Sequence, residues 1–308
     1  MKVCVIGAGA MGCIIGALLH ESGHEVTLVD VWKEHVESIN REGLRLTGVG
    51  GDRIVWVEAR ENVDRLPIQD LVLIMVKSPY TLQAVRSALP IIGQDTMVLT
   101  LQNGLGNGDI IASVVGPQSV IVGVTSHGGT VLGPGAVRHA GAGETVIAEY
   151  SGKMSERVGK LAEALTSAGI ETRAAHNVEE LIWGKLLVNV GINALTAILS
   201  IRNGELSALE PGRELVAMAV SEAVEVARAK GITLEGDPLE RCLTVAQSTA
   251  ENISSMLQDV IARRPTEVDV INGAIVREGE RLGIPTPVNR ALLKMIKVIE
   301  LTYARRLR

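Results

Sequence analysis

What most constrains this chain is a glycine turn set between two strands within its first thirty residues. Residues 3–6 form a short, mostly β-branched run, residues 11–21 carry apolar side chains at helical spacing, and residues 25–29 are again strand-like. Between the first strand and the helix stands Gly7-Ala8-Gly9-Ala10-Met11-Gly12, a match to GxGxxG. In such a turn the first glycine permits the sharp bend, the second lets the backbone approach a diphosphate, and the third lets the helix pack against the strand. The free amides and the dipole at the helix start then hold the anion. GxGxxG alone is weak evidence. Here a strand precedes it, a helix follows and a second strand ends in an acid, which is the context the motif requires. Gly7, Ala8, Gly9, Ala10, Met11 and Gly12 are therefore expected to cradle a dinucleotide.

The acid is Asp30, eighteen positions after Gly12. A carboxylate there accepts hydrogen bonds from the adenosine ribose hydroxyls and repels a 2′-phosphate, which favours NAD. The competing reading has Asp30 capping the next helix while Lys33 accommodates the phosphate of NADP.

Beyond this opening, strand-like runs at 71–76, 97–101 and 120–124 alternate with helical stretches near 34–41, 80–89 and 109–115. Such alternation predicts a parallel sheet covered by helices on both faces. Glycine-rich strands at 137–139 and 145–149 are expected to extend the sheet edge. One more helix at 155–167 and a strand at 171–174 follow, and no strand signal returns after them. The expected fold is α/β: a Rossmann-type, doubly wound domain over 1–175, then an all-α domain over 176–308 for substrate binding and dimerisation, with a cleft between them.

Composition sets limits. A chain of 308 residues with 46% hydrophobic content can fill two cores. A net charge of −5 and 2% aromatic residues give neither the basic footprint nor the stacking groups of a nucleic-acid binder. Three cysteines, Cys4, Cys13 and Cys242, sit in apolar surroundings, as expected of buried thiols in a reducing cytoplasm. Lys2 and the uncharged run after it imitate a signal peptide, but Gly7, Gly9, Gly12 and Gly16 weaken a continuous apolar helix. Residues 183–201 are apolar yet carry Lys185, Asn189 and Asn193, each costly in lipid, so no membrane partner is expected.

His20-Glu21-Ser22-Gly23-His24 spells HExxH, but Gly23 should end the helix and leave His24 outside it, so no metal site is expected. His35, His127, His139 and His176 lack ligand spacing and read as surface or satisfied polar residues.

The second half offers a more specific pattern. Lys185, Asn189 and Asn193 stand at i, i+4 and i+8 and share one face of an otherwise apolar helix. Buried polar groups need partners or water, and a functional cleft would satisfy all three. A polar edge facing solvent or another subunit is the alternative. A partly desolvated lysine suits proton donation to a carbonyl, because its pKa falls toward neutrality. In Pro265-Thr266-Glu267-Val268-Asp269 the spacing predicts a helix start, with Thr266 as cap or early-turn residue and the acids near the positive end of the dipole.

Taken together, these blocks resemble the ketopantoate reductase family. The resemblance runs through GAGAMG at 7–12, VKS at 76–78, QNGLG at 102–106, WGKLLVNVGINALTA at 183–197, SSMLQD at 254–259 and TEVDVINGAIV at 266–276. It implies a Rossmann domain followed by a helical domain, and reduction of 2-dehydropantoate to pantoate on the route to coenzyme A. It further implies Lys185 as general acid and Glu267 as the carboxylate that binds the substrate hydroxyl and holds the lysine. Asn189, Asn193 and Ser255 resemble substrate-binding residues, Asn103 a loop residue beside nicotinamide and substrate, and Lys77 a lysine lining the cofactor site. Many family members use NADPH, so the resemblance points to NADP where Asp30 points to NAD. Relatives of this fold act on other 2-oxo acids or opines, and a dinucleotide-sensing protein without catalysis is the alternative of another class.

Overall fold

The computed structural model describes residues 1–305. By its contacts the chain divides into two compact units, one of 1–102 and 107–178 and the other of 103–106 and 179 onward.

The first unit contains β1 (Lys2–Ile6), α1 (Ala10–Glu21), β2 (Glu25–Val29), α2 (Lys33–Glu42), β3 (Leu44–Gly48), β4 (Arg53–Val55), β5 (Glu58–Arg60) and β6 (Leu71–Ile74). It continues with α3 (Thr81–Ala88), β7 (Met97–Thr100), α4 (Asn107–Val115), β8 (Val120–Thr125), β9 (Gly128–Gly133), β10 (Ala136–Gly141), β11 (Thr145–Glu149), α5 (Glu156–Ser167) and β12 (Thr172–Ala174). Eight strands form the main sheet in the order β12-β11-β8-β7-β6-β1-β2-β5. All its pairs are parallel except β8 with β11. The strands at its centre read as continuous apolar runs because helices cover both faces; Val3, Cys4 and Val5 of β1 and all of β6 have no solvent exposure. The chain runs outward from β1 to β2, then resumes at β6 on the other side of β1. That reversal puts the topological switch point beside β1, where ligands enter sheets of this kind.

Only part of the expected edge extension exists. β11 does join the main sheet, but β10 builds a separate four-stranded sheet in the order β4-β3-β10-β9, packed over α1. Its central pair, β10 with β3, is parallel and joins segments some ninety residues apart, so no local pattern announces it.

Of the histidines, His35 is a satisfied polar residue as expected, its Nδ1 accepting the Gly135 N–H at 2.9 Å, whereas His127 and His139 depart from expectation. His35, His127 and His139 are buried. His127 Nδ1 and His139 Nε2 lie 2.9 Å apart, whereas His127 Nε2 and His139 Nδ1 have no hydrogen-bond partner among the described residues. At the HExxH segment α1 ends at Glu21 with Ser22 as its C-cap, and His24 lies beyond the helix. Cys4, Cys13 and Cys242 are buried free thiols.

The second unit is helical: α6 (Glu179–Leu199), α7 (Asn203–Ala208), α8 (Glu210–Ala229), α9 (Pro238–Ser248), α10 (Ser255–Ile261), α11 (Asn272–Leu282) and α12 (Pro287–Leu301). By length and hydropathy α6 could cross a membrane, yet most of it is buried inside the unit, against α8, α9, α10 and α12. Trp183, Leu186, Leu187, Val190 and Ala194 are among the residues of α6 that fill this core. The close approach of α9 depends on Gly191, where a Cβ would lie 2.5 Å from Sγ of Cys242.

Candidate active site

In the first unit the glycine turn sits at the carboxyl end of β1. Gly7 has φ of +101° and donates its N–H to the Val29 carbonyl at 2.8 Å. Two glycines of the turn do different work. At Gly12 a Cβ would stand 2.0 Å from the carbonyl oxygen of Gly7, so the turn closes only without a side chain there. At Gly9 a Cβ would meet no protein atom within 4 Å, so the space over that residue is open. Gly9 is the N-cap of α1, no side chain caps that end, and the first turn holds no acid. Open space before uncapped amides suits a diphosphate, since the helix end supplies donors and positive potential with no competing carboxylate.

Asp30 follows β2. Its N–H donates to the Arg60 carbonyl at 3.1 Å, and its Oδ1 accepts the N–H of Trp32 at 2.9 Å. The residue at the N-cap of α2 is Trp32, with no side-chain cap. Lys33 lies 3.7 Å from Glu37, and both are exposed. Lys77 opens a short 3-10 turn, Ser78–Tyr80, at the carboxyl end of β6. Beside it the Gln102 amide donates to the Val76 carbonyl at 2.7 Å and to Thr81 Oγ1 at 2.9 Å, which ties the backbone just before Lys77 to the side chain that opens α3.

In the second unit α6 carries Lys185, Asn189 and Asn193 along one face. Asn193 is buried, and Lys185 and Asn189 are half-buried. Glu267 is buried and precedes a 3-10 turn, Val268–Val270. The expected helix start at Pro265 is thus displaced: Thr266 Oγ1 accepts the Val268 N–H at 3.3 Å to open that turn, and the α-helix proper begins only at Asn272.

The segment 103–106 joins this unit through hydrogen bonds and a close backbone approach. Asn103 Nδ2 donates to Glu267 Oε2 at 3.3 Å, Leu105 N–H donates to the Val270 carbonyl at 3.0 Å, and Gly104 has φ of +82°. A Cβ at Gly104 would stand 2.4 Å from that same Val270 oxygen. Desolvation pulls the Lys185 ammonium down to about 8, opposed by the attraction of the Glu267 carboxylate. Lys185, Glu267 and Asn103 therefore form one polar cluster, with a lysine that can give up its proton near neutral pH.

Ser255 is the first residue of α10 and is exposed. The residue that anchors it is Ser254, which caps α10 by accepting the Leu257 N–H at 3.1 Å. Thr196, one turn beyond Asn193, bonds Ser254 Oγ at 2.7 Å. Neither Thr196 nor Ser254 was among the expected site residues. A serine just before an apolar run is the ordinary N-cap signal that marks Ser254.

Sequence models of two regions described as ketopantoate reductase PanE/ApbA match this chain, the main one over residues 3–152 and the C-terminal one over 177–300. The chain belongs to the ketopantoate reductase family. A 2-dehydropantoate 2-reductase from Halobacterium salinarum is 38% identical over 301 residues, 97% of this chain and 99% of the relative. One from Pyrococcus horikoshii is 34% identical over 300 residues, 97% and 98% of the two chains. Among solved structures, a PanE/ApbA family ketopantoate reductase from Ralstonia eutropha superposes with a TM-score of 0.92 at 36% identity, over 99% of this chain and 100% of that one. A D-mandelate dehydrogenase solved with NADH and anilino(oxo)acetate gives 0.93 at 30% identity, over 99% and 100%.

Proposed function

We propose that the chain reduces the 2-oxo group of 2-dehydropantoate to give pantoate, a step on the route to coenzyme A, with a nicotinamide dinucleotide held by the first unit. The observation that carries this reading is the pairing of Lys185 with Glu267 on a helical unit whose sequence aligns throughout with 2-dehydropantoate 2-reductases. The reduced nicotinamide supplies the hydride. As negative charge grows on the substrate oxygen, the Lys185 ammonium stabilises it and then delivers the proton. Glu267 keeps the ammonium charged and accepts the substrate hydroxyl, while Asn103 donates to Glu267 and holds its carboxylate in place. Asn189, Asn193 and Ser255 orient the oxo acid without adding charge.

For the dinucleotide, Gly7 to Gly12 and Lys77 bind the diphosphate region and Asp30 the adenosine ribose. Like charges about 4 Å apart repel by ~1–4 kcal/mol, so the Asp30 carboxylate supports NAD over NADP by roughly fivefold to several hundredfold. Oxidation of NADH and NADPH with 2-dehydropantoate tests substrate and cofactor together. Turnover with NADH well above that with NADPH is the expected result, and no turnover with either ends the proposal.

The likeness to a D-mandelate dehydrogenase that binds an aromatic oxo acid supports a second reading, reduction of another 2-oxo acid. Comparison of kcat/KM over a panel of oxo acids separates the two. A homodimer is supported by the exposed Met295, Val298 and Leu301 on α12, and a cytoplasmic location by three thiols kept unpaired.

A further inference from the structure

One buried histidine joins the parts of the first unit that surround the glycine turn. His35, in the first turn of α2, has no solvent exposure. Its Nδ1 accepts the backbone N–H of Gly135 at 2.9 Å, so in the neutral ring the proton sits on Nε2. Nε2 faces Sγ of Cys13 at 3.4 Å, and Cys13 donates onward to the carbonyl oxygen of Ala8, inside the turn, at 3.1 Å. Burial lowers the pKa of His35 and keeps the ring neutral, although the Asp30 charge acts the other way.

The face of the imidazole lies against the Trp32 indole, with ring centroids 5.0 Å apart and planes 9° from parallel. Trp32 is the residue whose N–H holds Asp30 Oδ1 at 2.9 Å. At the backbone, the Trp32 carbonyl accepts the N–H of His35 at 3.0 Å and of Val36 at 3.1 Å, and the Asp30 N–H donates to the Arg60 carbonyl at 3.1 Å; the side chains add less. Val31 is 88% exposed, Trp32 is 39% exposed, and no side chain caps α2 there. The stack on His35 is the side-chain brace added to that backbone hold on the amide that aims the Asp30 carboxylate.

We propose that His35 is a positioning residue for cofactor choice: stacked under Trp32, it fixes the loop that turns the Asp30 carboxylate toward the ribose and against a 2′-phosphate. The inference rests on the reading of Asp30 as the NAD-selecting residue. A histidine that only filled the core would, on removal, weaken both dinucleotides alike. One that orients Asp30 changes their ratio, because the repulsion of a 2′-phosphate depends on where that carboxylate points.

The test is fluorescence titration of NADH and NADPH into the wild-type protein, His35→Asn and Trp32→Leu, with thermal melts to establish that each variant is folded. Asn at 35 can still accept the Gly135 N–H but removes the ring, whereas Leu at 32 removes the stack and leaves the hydrogen bonds of His35 in place. The Kd ratio of NADPH to NADH is expected to fall at least roughly fivefold in both variants. A ratio that stays at the wild-type value in folded protein overturns the proposal, whether or not both constants rise. Should His35→Asn fail to fold, Trp32→Leu decides alone. A wild-type protein that binds NADPH more tightly than NADH overturns the Asp30 reading first, and this inference with it, before any variant is made.

Discussion

The ammonium of Lys185 titrates near pH 8 in the folded protein and near 10.5 in an unfolded chain. As the proton donor it acts only when charged, so kcat should hold steady below about pH 8 and decline as pH rises through that value. Lys185→Ala should cost at least roughly a hundredfold in kcat and abolish the decline. Stability follows the same titration with the opposite sign. Between pH 8 and 10.5 the unfolded chain binds the proton that the folded chain has released, so the stability contributed at this site grows as pH rises across that window. Denaturant unfolding over this range should show wild type gaining stability relative to Lys185→Met as pH rises. At the turn, Gly9→Ala should leave the melting temperature within about 2 °C while weakening NADH binding at least tenfold, since its Cβ meets only open space. Gly12→Ala, with its Cβ against the Gly7 oxygen, should lose both fold stability and binding. Calorimetry and titration on the same samples separate the two.

At the scale of elements, the start of α10 hangs on one side chain of α6. Thr196→Val removes the hydroxyl that meets Ser254 and should destabilise the protein by about 1–2 kcal/mol in urea unfolding. It should also raise KM for the oxo acid more than it lowers kcat, because Ser255 follows the cap. Legibility in the sequence divides along these lines. β1, α1 and β2 were readable because turn chemistry and periodicity are local, and the Lys185 face because 3.6-residue spacing fixes it. The parallel pairing of β10 with β3 depends on partners far apart in the chain, which no local window contains. Likewise the buried His35 gave no spacing signal, since its partners Gly135 and Trp32 come from different loops. Glu267 as a functional group came only from the resemblance; its local pattern spoke for a helix start, and the structure places a 3-10 turn there instead.

For the molecule as a whole, the chain crosses between its units more often than a two-domain sequence suggests. The polypeptide leaves the first unit after Gln102, contributes four residues to the second, returns at Asn107 and departs again after Val178. Neither unit is a continuous stretch of chain. A fragment running from Glu179 onward would lack Asn103, the donor to Glu267, and Gly104, the residue fitted against Val270. A ribosome making this protein therefore cannot finish the first unit and then start the second. The loop that completes the lysine cluster emerges some seventy residues ahead of the helix that carries the lysine, and must wait for it.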